Sequence, residues 1–351
     1  MTSTLHPAPT PPSAGRSDDP GRAAVLVTGA GGPAGVAVIR RLVALGHRVV
    51  GVDADWSAAG CALATVGAVV PRADHVRFVD ALVSLATAHG VDALIGTVAE
   101  ELPALAAGAA QLAEAGVATW LPSVDSVEVC CDKAAFARAL RDAGVPHPAT
   151  TGTAAGLGTV PGPWVVKPRA GRGSRGVRLL DSRSAVAEAL NEDASLIAQT
   201  RLQGREFTAD ALVGRDGGML TVVPRWRDDT KAGISVKGTT FDSPAVTDVV
   251  AAALEAVRLT GPSNVQGFVA DDGRATVVEI NPRFSGGLPL TLAAGADVVS
   301  AYLTGIRDPQ AALPHLWFTP GVRMSRYFAE TYSGPDGTPV ADPSVAQAVT
   351  A

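Results

Sequence analysis

Asn264, Gln266, Glu279 and Asn281 stand at alternate positions on either side of Asp272-Gly273. An Asp-Gly pair between two alternating runs predicts a hairpin with a two-residue type I′ turn, in which Gln266 faces Glu279 and Asn264 faces Asn281. Side chains on a strand alternate, so these four share one face, while Val265, Val269, Val278 and Ile280 face a core. Phe268 and Val277 fall on the polar face one pleat nearer the turn, where they can pack beside a nucleotide or simply continue the core. Oxygen-bearing side chains with a single carboxylate among them suit Mg²⁺, which prefers hard donors and keeps waters and substrate phosphates in its shell. Pro282-Arg283-Phe284-Ser285-Gly286-Gly287 follows at once and sets a cation and a glycine-rich turn beside that face.

Lysine is scarce: only Lys133, Lys167, Lys231 and Lys237 occur. Lys167 ends an apolar strand and is followed by a basic loop containing Gly171, Gly173, Ser174, Arg175 and Gly176. Such a loop can fold backbone N–H groups over phosphates while Lys and Arg supply charge. Lys133 opens a helix just before this section. A third glycine cluster, Thr28-Gly29-Ala30-Gly31-Gly32-Pro33-Ala34-Gly35, fits the TGxxGxxG turn of dinucleotide-binding dehydrogenases and epimerases, with Asp53 able to accept from a ribose hydroxyl. That family's chemistry needs Tyr-x-x-x-Lys, and no lysine here has Tyr four residues before it. The motif therefore reads as a tight strand-to-helix turn or as a helix N-terminus that receives a substrate carboxylate.

The elements that position these groups follow from the apolar pattern. The run 23–27, the helical stretch to 45 and the strand 47–52 form a βαβ opening, which predicts a right-handed parallel sheet. Helices at 81–89 and 102–115 and strands at 91–96 and 117–121 continue it. Beyond 123 two helices lead into strands at 164–168, 177–180, 206–213, 220–224, 265–269 and 275–280, with helices at 184–190 and 244–259. The fold class expected is α/β followed by α+β. Residues 1–22 read as a disordered tail, 23–122 and 123–326 as two domains (the second divided near 200), and 333–351 as a loose tail.

The 351 residues carry 29 basic and 34 acidic side chains, a net charge of −5, and 47% are hydrophobic. This excludes a wholly disordered chain and disfavours a cationic nucleic-acid-binding surface. Cys61, Cys130 and Cys131 form neither a disulfide framework nor a zinc set. No apolar run is long enough to span a bilayer and no secretory signal is visible, so a cytoplasmic protein without membrane or nucleic-acid partners is expected.

Segments 132–148, 164–177, 205–212, 232–238, 261–268 and 277–290 together resemble the ATP-grasp superfamily, most closely the branch of the carbamoyl phosphate synthetase large subunit and the pyrrolysine-pathway ligase. The likeness runs from about 23 to 326 and implies a Rossmann-like pre-ATP-grasp domain followed by a two-subdomain ATP-grasp fold. It implies that Lys133 and Lys167 contact ATP phosphates, that Gly171 to Gly176 close over them, and that Glu206 holds the ribose. It further implies Gln266, Glu279 and Asn281 as ligands of two Mg²⁺ ions (Mn²⁺ being able to replace them), Arg283 beside the transferred phosphoryl group, and Arg225, Lys237 and Ser285 to Gly287 around substrate and acyl phosphate. The activity implied is ATP-dependent carboxylate–amine ligation through an acyl phosphate, on small amino-acid-like substrates, with a homodimer as the default assembly. A carboxyphosphate or carbamoyl-phosphate type synthetase and an NAD-dependent dehydrogenase are the alternatives. Thr200-Arg201 departs from the usual adenine hinge, and Ala99 stands where related ligases often carry Asp.

Overall fold

The computed structural model describes residues 21–171, 175–231, 233–334 and 339–341. Strand β1 (Ala24–Thr28) is buried throughout, as a continuous apolar run should be in a parallel sheet covered on both faces. It leads through the glycine turn into helix α1 (Pro33–Ala44), then strand β2 (Arg48–Asp53), helix α2 (Ala59–Leu63), strand β3 (Val66–Val69), helix α3 (Phe78–Ala88) and strand β4 (Ala93–Ile95). The four strands form a parallel sheet in the order β3-β2-β1-β4. Instead of one helix over 102–115, helices α4 (Leu102–Ala107) and α5 (Ala109–Glu114) break at Gly108, where a Cβ would meet Val79 of α3 at 2.5 Å. The strand expected at 117–121 is reduced to a single bridge between Ala93 and Ala118.

Helices α6 (Val124–Cys131) and α7 (Lys133–Asp142) begin at side-chain caps, Ser123 and Asp132. A small antiparallel sheet follows from strands β5 (Thr150–Thr151), β6 (Trp164–Pro168) and β7 (Arg178–Leu180), helix α8 (Arg183–Glu192) and strand β8 (Leu196–Thr200), ordered β5-β8-β6-β7. The larger sheet contains strands β9 (Arg205–Val213), β10 (Met219–Lys231) and β11 (Ile234–Thr240). Helix α9 (Pro244–Ala256) then precedes strands β12 (Gly261–Val269) and β13 (Ala275–Asn281). After helices α10 (Leu288–Ala293) and α11 (Val298–Arg307), strand β14 (Arg323–Ser325) completes the order β13-β12-β9-β10-β11-β14.

The first sheet and the last helices share one core. Val25, Val27, Ile39 and Leu42 pack in the same cluster as Trp120, Phe284, Leu288, Val299 and Tyr302. This brings the glycine turn against the Ser285–Gly287 turn: a Cβ on Gly286 would lie 3.1 Å from the Pro33 ring. Within the turn Gly29 has φ +66°, and a Cβ on Gly35 would lie 2.1 Å from the Gly29 carbonyl oxygen. Gly35 thus lets α1 approach the end of β1. Gly35→Ala is expected to cost about 1–3 kcal/mol, the usual range for overpacking, measured as a lowered urea midpoint with unchanged slope.

The hairpin corrects the expected turn in an instructive way. β12 and β13 are joined by the three-residue loop Asp271–Gly273, with Gly273 in the left-handed region at φ +82°. That loop alone would slip the register by one, but a β-bulge at Val278 restores it, so Gln266 still pairs with Glu279 and Asn264 with Asn281. Between turn and bulge the faces are exchanged. Val277 is fully buried in the core rather than on the polar face, and Val278 lines a cavity beside Glu279.

Candidate functional site

The small sheet and the large sheet face each other across a cavity of about 190 Å³. Lys133, Lys167, Gly171, Arg175, Gln266 and Glu279 line it, together with Arg227. Five separate segments therefore converge there. Lys133 sits at the first position of α7, and Asp132 caps that helix by accepting from Ala134 N at 2.9 Å and Ala135 N at 3.1 Å. Arg169 clamps the same carboxylate, its Nε at 3.1 Å. Lys133 Nζ donates to the Gly171 carbonyl at 2.9 Å and so ties α7 to the basic loop. Gly173 and Ser174 lie outside the described residues; Gly176 has φ +70°.

Lys167 is 8% exposed, and burial, opposed by Glu279 and reinforced by Lys133, pushes its pKa down to about 8. An unfolded lysine keeps a value near 10.5, so between about 8 and 10.5 the unfolded chain binds more protons than the folded one and stability rises with pH. Holding the charged form buried costs roughly 3 kcal/mol below that window. Lys167→Met is expected to raise stability at pH 7 and to flatten the rise between about pH 8 and 10.5, which urea unfolding at pH 7 and pH 9.5 tests. A Lys167→Met protein less stable at pH 7 contradicts the burial cost.

Glu279 accepts from Asn281 Nδ2 at 3.1 Å. The Asn281 Oδ1 in turn accepts from Arg283 Nη2 at 3.1 Å, and Gln266 Oε1 accepts from Arg227 Nη1 at 3.1 Å. Both amide oxygens thus already face positive charge. Among the described residues no three His, Cys, Asp or Glu side chains gather as a metal group. One carboxylate with two amide oxygens fits Mg²⁺ completed by phosphate oxygens rather than a cation caged by protein alone. Glu206 pairs with Arg227 Nη1 at 3.0 Å, and its carboxyl pKa is raised by burial, with Arg227 opposing and Glu279 adding to the rise.

Of the other expected site residues, Arg283 lines only a second cavity, Glu206 and Asn281 line neither but touch Arg227 and Glu279, and Arg225, Lys237 and Phe268 fall elsewhere. Arg225 borders a second cavity, but its donors are spent: Nη1 and Nη2 hold Asp210 at 2.7 and 2.8 Å, Nε reaches Thr208 at 3.3 Å, and Thr291 and Ser285 accept at 3.2 and 3.1 Å. It is a buried anchor for the turn that begins at Ser285, because the strand expected to end at 224 continues inward. Lys237 is exposed at the β11–β14 side, 3.9 Å from Asp229, and lines neither cavity. Phe268 pairs across β9 with Glu206 but lines an apolar cavity with Pro146, Leu202 and Gln203, apart from Lys167 and Glu279. Sequence reasoning missed Arg227, which lines both cavities. The spacing Arg225-Trp226-Arg227 would have placed both arginines on one strand face.

The second cavity, about 170 Å³, lies between the glycine turn (Gly29, Gly32, Pro33), the large sheet (Asn264, Gln266) and the turn after β13 (Arg283, Ser285). Asp53 holds that turn: one oxygen accepts from Gly31 N at 2.7 Å, the other from Asp55 N at 3.0 Å.

Residues 192–325 match the family model described as ATP-grasp in the biosynthetic pathway with Ter operon. An uncharacterised protein of Sinorhizobium fredii is 29% identical over 192 residues, covering 47% of this chain and 38% of that relative. The chain therefore spans well under half of the curated relative it matches. Among solved structures, the L-amino acid ligase of Bacillus licheniformis superposes with a TM-score of 0.62 at 18% identity, covering 82% of this chain and 74% of that one. The N5-carboxyaminoimidazole synthetase of Staphylococcus aureus, complexed with ADP, gives 0.65 at 16% identity over 84% and 80% of the two chains. The biotin carboxylase of Campylobacter jejuni gives 0.66 at 16% over 84% and 73%.

Proposed function

We propose that this chain, a member of the ATP-grasp superfamily, is an ATP-dependent carboxylate–amine ligase that joins small amino-acid-like substrates through an acyl phosphate. The observation that carries the reading is the convergence of Lys133, Lys167, Arg175, Gln266 and Glu279 on one cavity beside Arg283. A carboxylate resists attack because its charge repels nucleophiles and oxide is a very poor leaving group. An oxygen of the acid attacks the γ-phosphorus of ATP, the bond to the β–γ bridging oxygen breaks, and ADP leaves. The amine then attacks the acyl carbon, the C–O bond to phosphate breaks, and nitrogen loses its proton.

The protein's part is alignment and charge neutralisation. Lys133 and Lys167 hold the phosphates, and Arg283 balances charge on the group in flight. Glu279, Asn281 and Gln266 would hold Mg²⁺, which supplies further neutralisation of phosphate oxygens when bound. No lysine has Tyr four residues before it, and the missing catalytic pair argues against the dinucleotide dehydrogenase reading.

The experiment is an ADP-release screen of small acids with amines, with hydroxylamine added to trap the activated acid as a hydroxamate. ADP formation that requires an acid, together with a hydroxamate, is expected. ADP formation driven by bicarbonate alone would favour the carboxyphosphate alternative, and no acid-dependent ADP would remove the ligase reading.

A further inference from the structure

The two cavities have three lining residues in common, Arg227, Gly233 and Gln266, and Arg227 is bonded to both of the others. Its Nη1 donates to Gln266 Oε1 at 3.1 Å and meets Glu206 Oε1 at 3.0 Å, while Nη2 donates to the Gly233 carbonyl at 3.1 Å. One guanidinium, on a side chain only 9% exposed, therefore fastens β9, β12 and the turn between β10 and β11 into a wall between the cavities. A planar fork of donors in fixed directions can hold three partners in this way, which a single ammonium does not. Lys167 and Glu279 line only the first cavity and Arg283 only the second, so the groups proposed above for the reaction stand on opposite sides of that wall.

Two of the groups that Arg227 holds are also those proposed for the nucleotide. Gln266 Oε1 is one of the oxygens proposed for Mg²⁺, and Glu206 is the carboxylate expected at the ribose. A divalent cation brought to that amide oxygen meets a guanidinium nitrogen already 3.1 Å from it, and like charges at such range repel. We propose that Arg227 is a positioning residue that works as a latch. It keeps the wall shut while the nucleotide site is empty, and it is displaced when Mg-nucleotide claims Gln266 and Glu206. The two cavities then join only after nucleotide has bound. The inference rests on the ligase reading for what crosses the wall, and on the bonds of Arg227 for the wall itself.

Calorimetry with AMP-PNP, in the presence and absence of Mg²⁺, tests the competition. Arg227→Met keeps an unbranched stem and removes an Nε–H that is buried without a partner among the described residues, so the variant is expected to fold, which thermal unfolding checks. The factor by which Mg²⁺ tightens AMP-PNP binding is expected to be at least about tenfold larger in Arg227→Met than in the native protein, because no charge-assisted hydrogen bond at Gln266 has to be broken first. A purely structural role would weaken binding equally with and without the metal. A factor that is unchanged or smaller would therefore overturn the latch. Hydrogen exchange in the native protein reads the opening without any variant. Ile234 and Ser235 pair with Lys231 and Thr230 at the end of the hairpin that Arg227 pins, so Mg-AMP-PNP is expected to speed their exchange. Exchange that slows or stays the same would overturn the proposal while nucleotide binding stands. Failure of AMP-PNP to bind with Mg²⁺ would overturn the ligase reading and the latch with it.

Discussion

Glu279→Gln is expected to reduce ATP turnover by about three orders of magnitude while the protein stays folded, an effect at the upper end for loss of one preorganised charge. The substitution keeps shape and removes the one carboxylate among the oxygen donors proposed for Mg²⁺. It also acts at a distance. Glu279 is what opposes the fall in the Lys167 pKa, so without it burial lowers that pKa further. One exchange of oxygen for nitrogen thus removes an anion for the metal and weakens a cation for the phosphates. Steady-state ADP release, with thermal unfolding as the control for folding, measures it. Turnover within tenfold of the native protein, at unchanged melting temperature, would remove Glu279 from the site.

Asp210→Ala is expected to cost about 3–5 kcal/mol of stability, the range for removing one partner of a buried ion pair. Asp210 accepts from Arg225 through both oxygens, from Thr291 Oγ1 at 2.7 Å and from Asn264 Nδ2 at 3.1 Å, and both charged residues are nearly fully buried. Its loss strands the guanidinium in a cavity wall. The double variant Asp210→Leu/Arg225→Met removes both charges and should recover much of the stability, because the stranded cation, not the lost pair, carries most of the cost. Urea denaturation compares the three proteins. A loss below about 1 kcal/mol in the single variant would mean that water reaches Arg225, returning it to the candidates for binding substrate.

The hairpin shows how much of the site was legible in advance, and on what terms. Alternation placed Asn264, Gln266, Glu279 and Asn281 together, and the pairing holds although the turn has one residue more than Asp-Gly suggests. The bulge at Val278 compensates, and it leaves no mark in a period-two pattern because the bulged residue and the one before it are both valine. Lys133 and Lys167 were conspicuous through scarcity, since four lysines among 29 basic residues make each position informative. Lys237 was conspicuous for the same reason and faces away, because the irregular pairing of β10 with β11 turns it toward Asp229.

What the amino-acid order determined is local: which runs become strands, which face of a strand carries oxygen, and where a helix must begin. Those properties depend on backbone period and on neighbours a few residues away. What only the tertiary structure decided is which partners each cation meets. Arg225 and Arg227 stand two residues apart on one strand face, yet Asp210, Thr208, Ser285 and Thr291 hold the first away from the Lys167 cavity, while Glu206 and Gln266 hold the second at its wall. The difference lies in partners brought from β9, α10 and the turn after β13, and long-range packing of that kind has no signature in the spacing of two arginines.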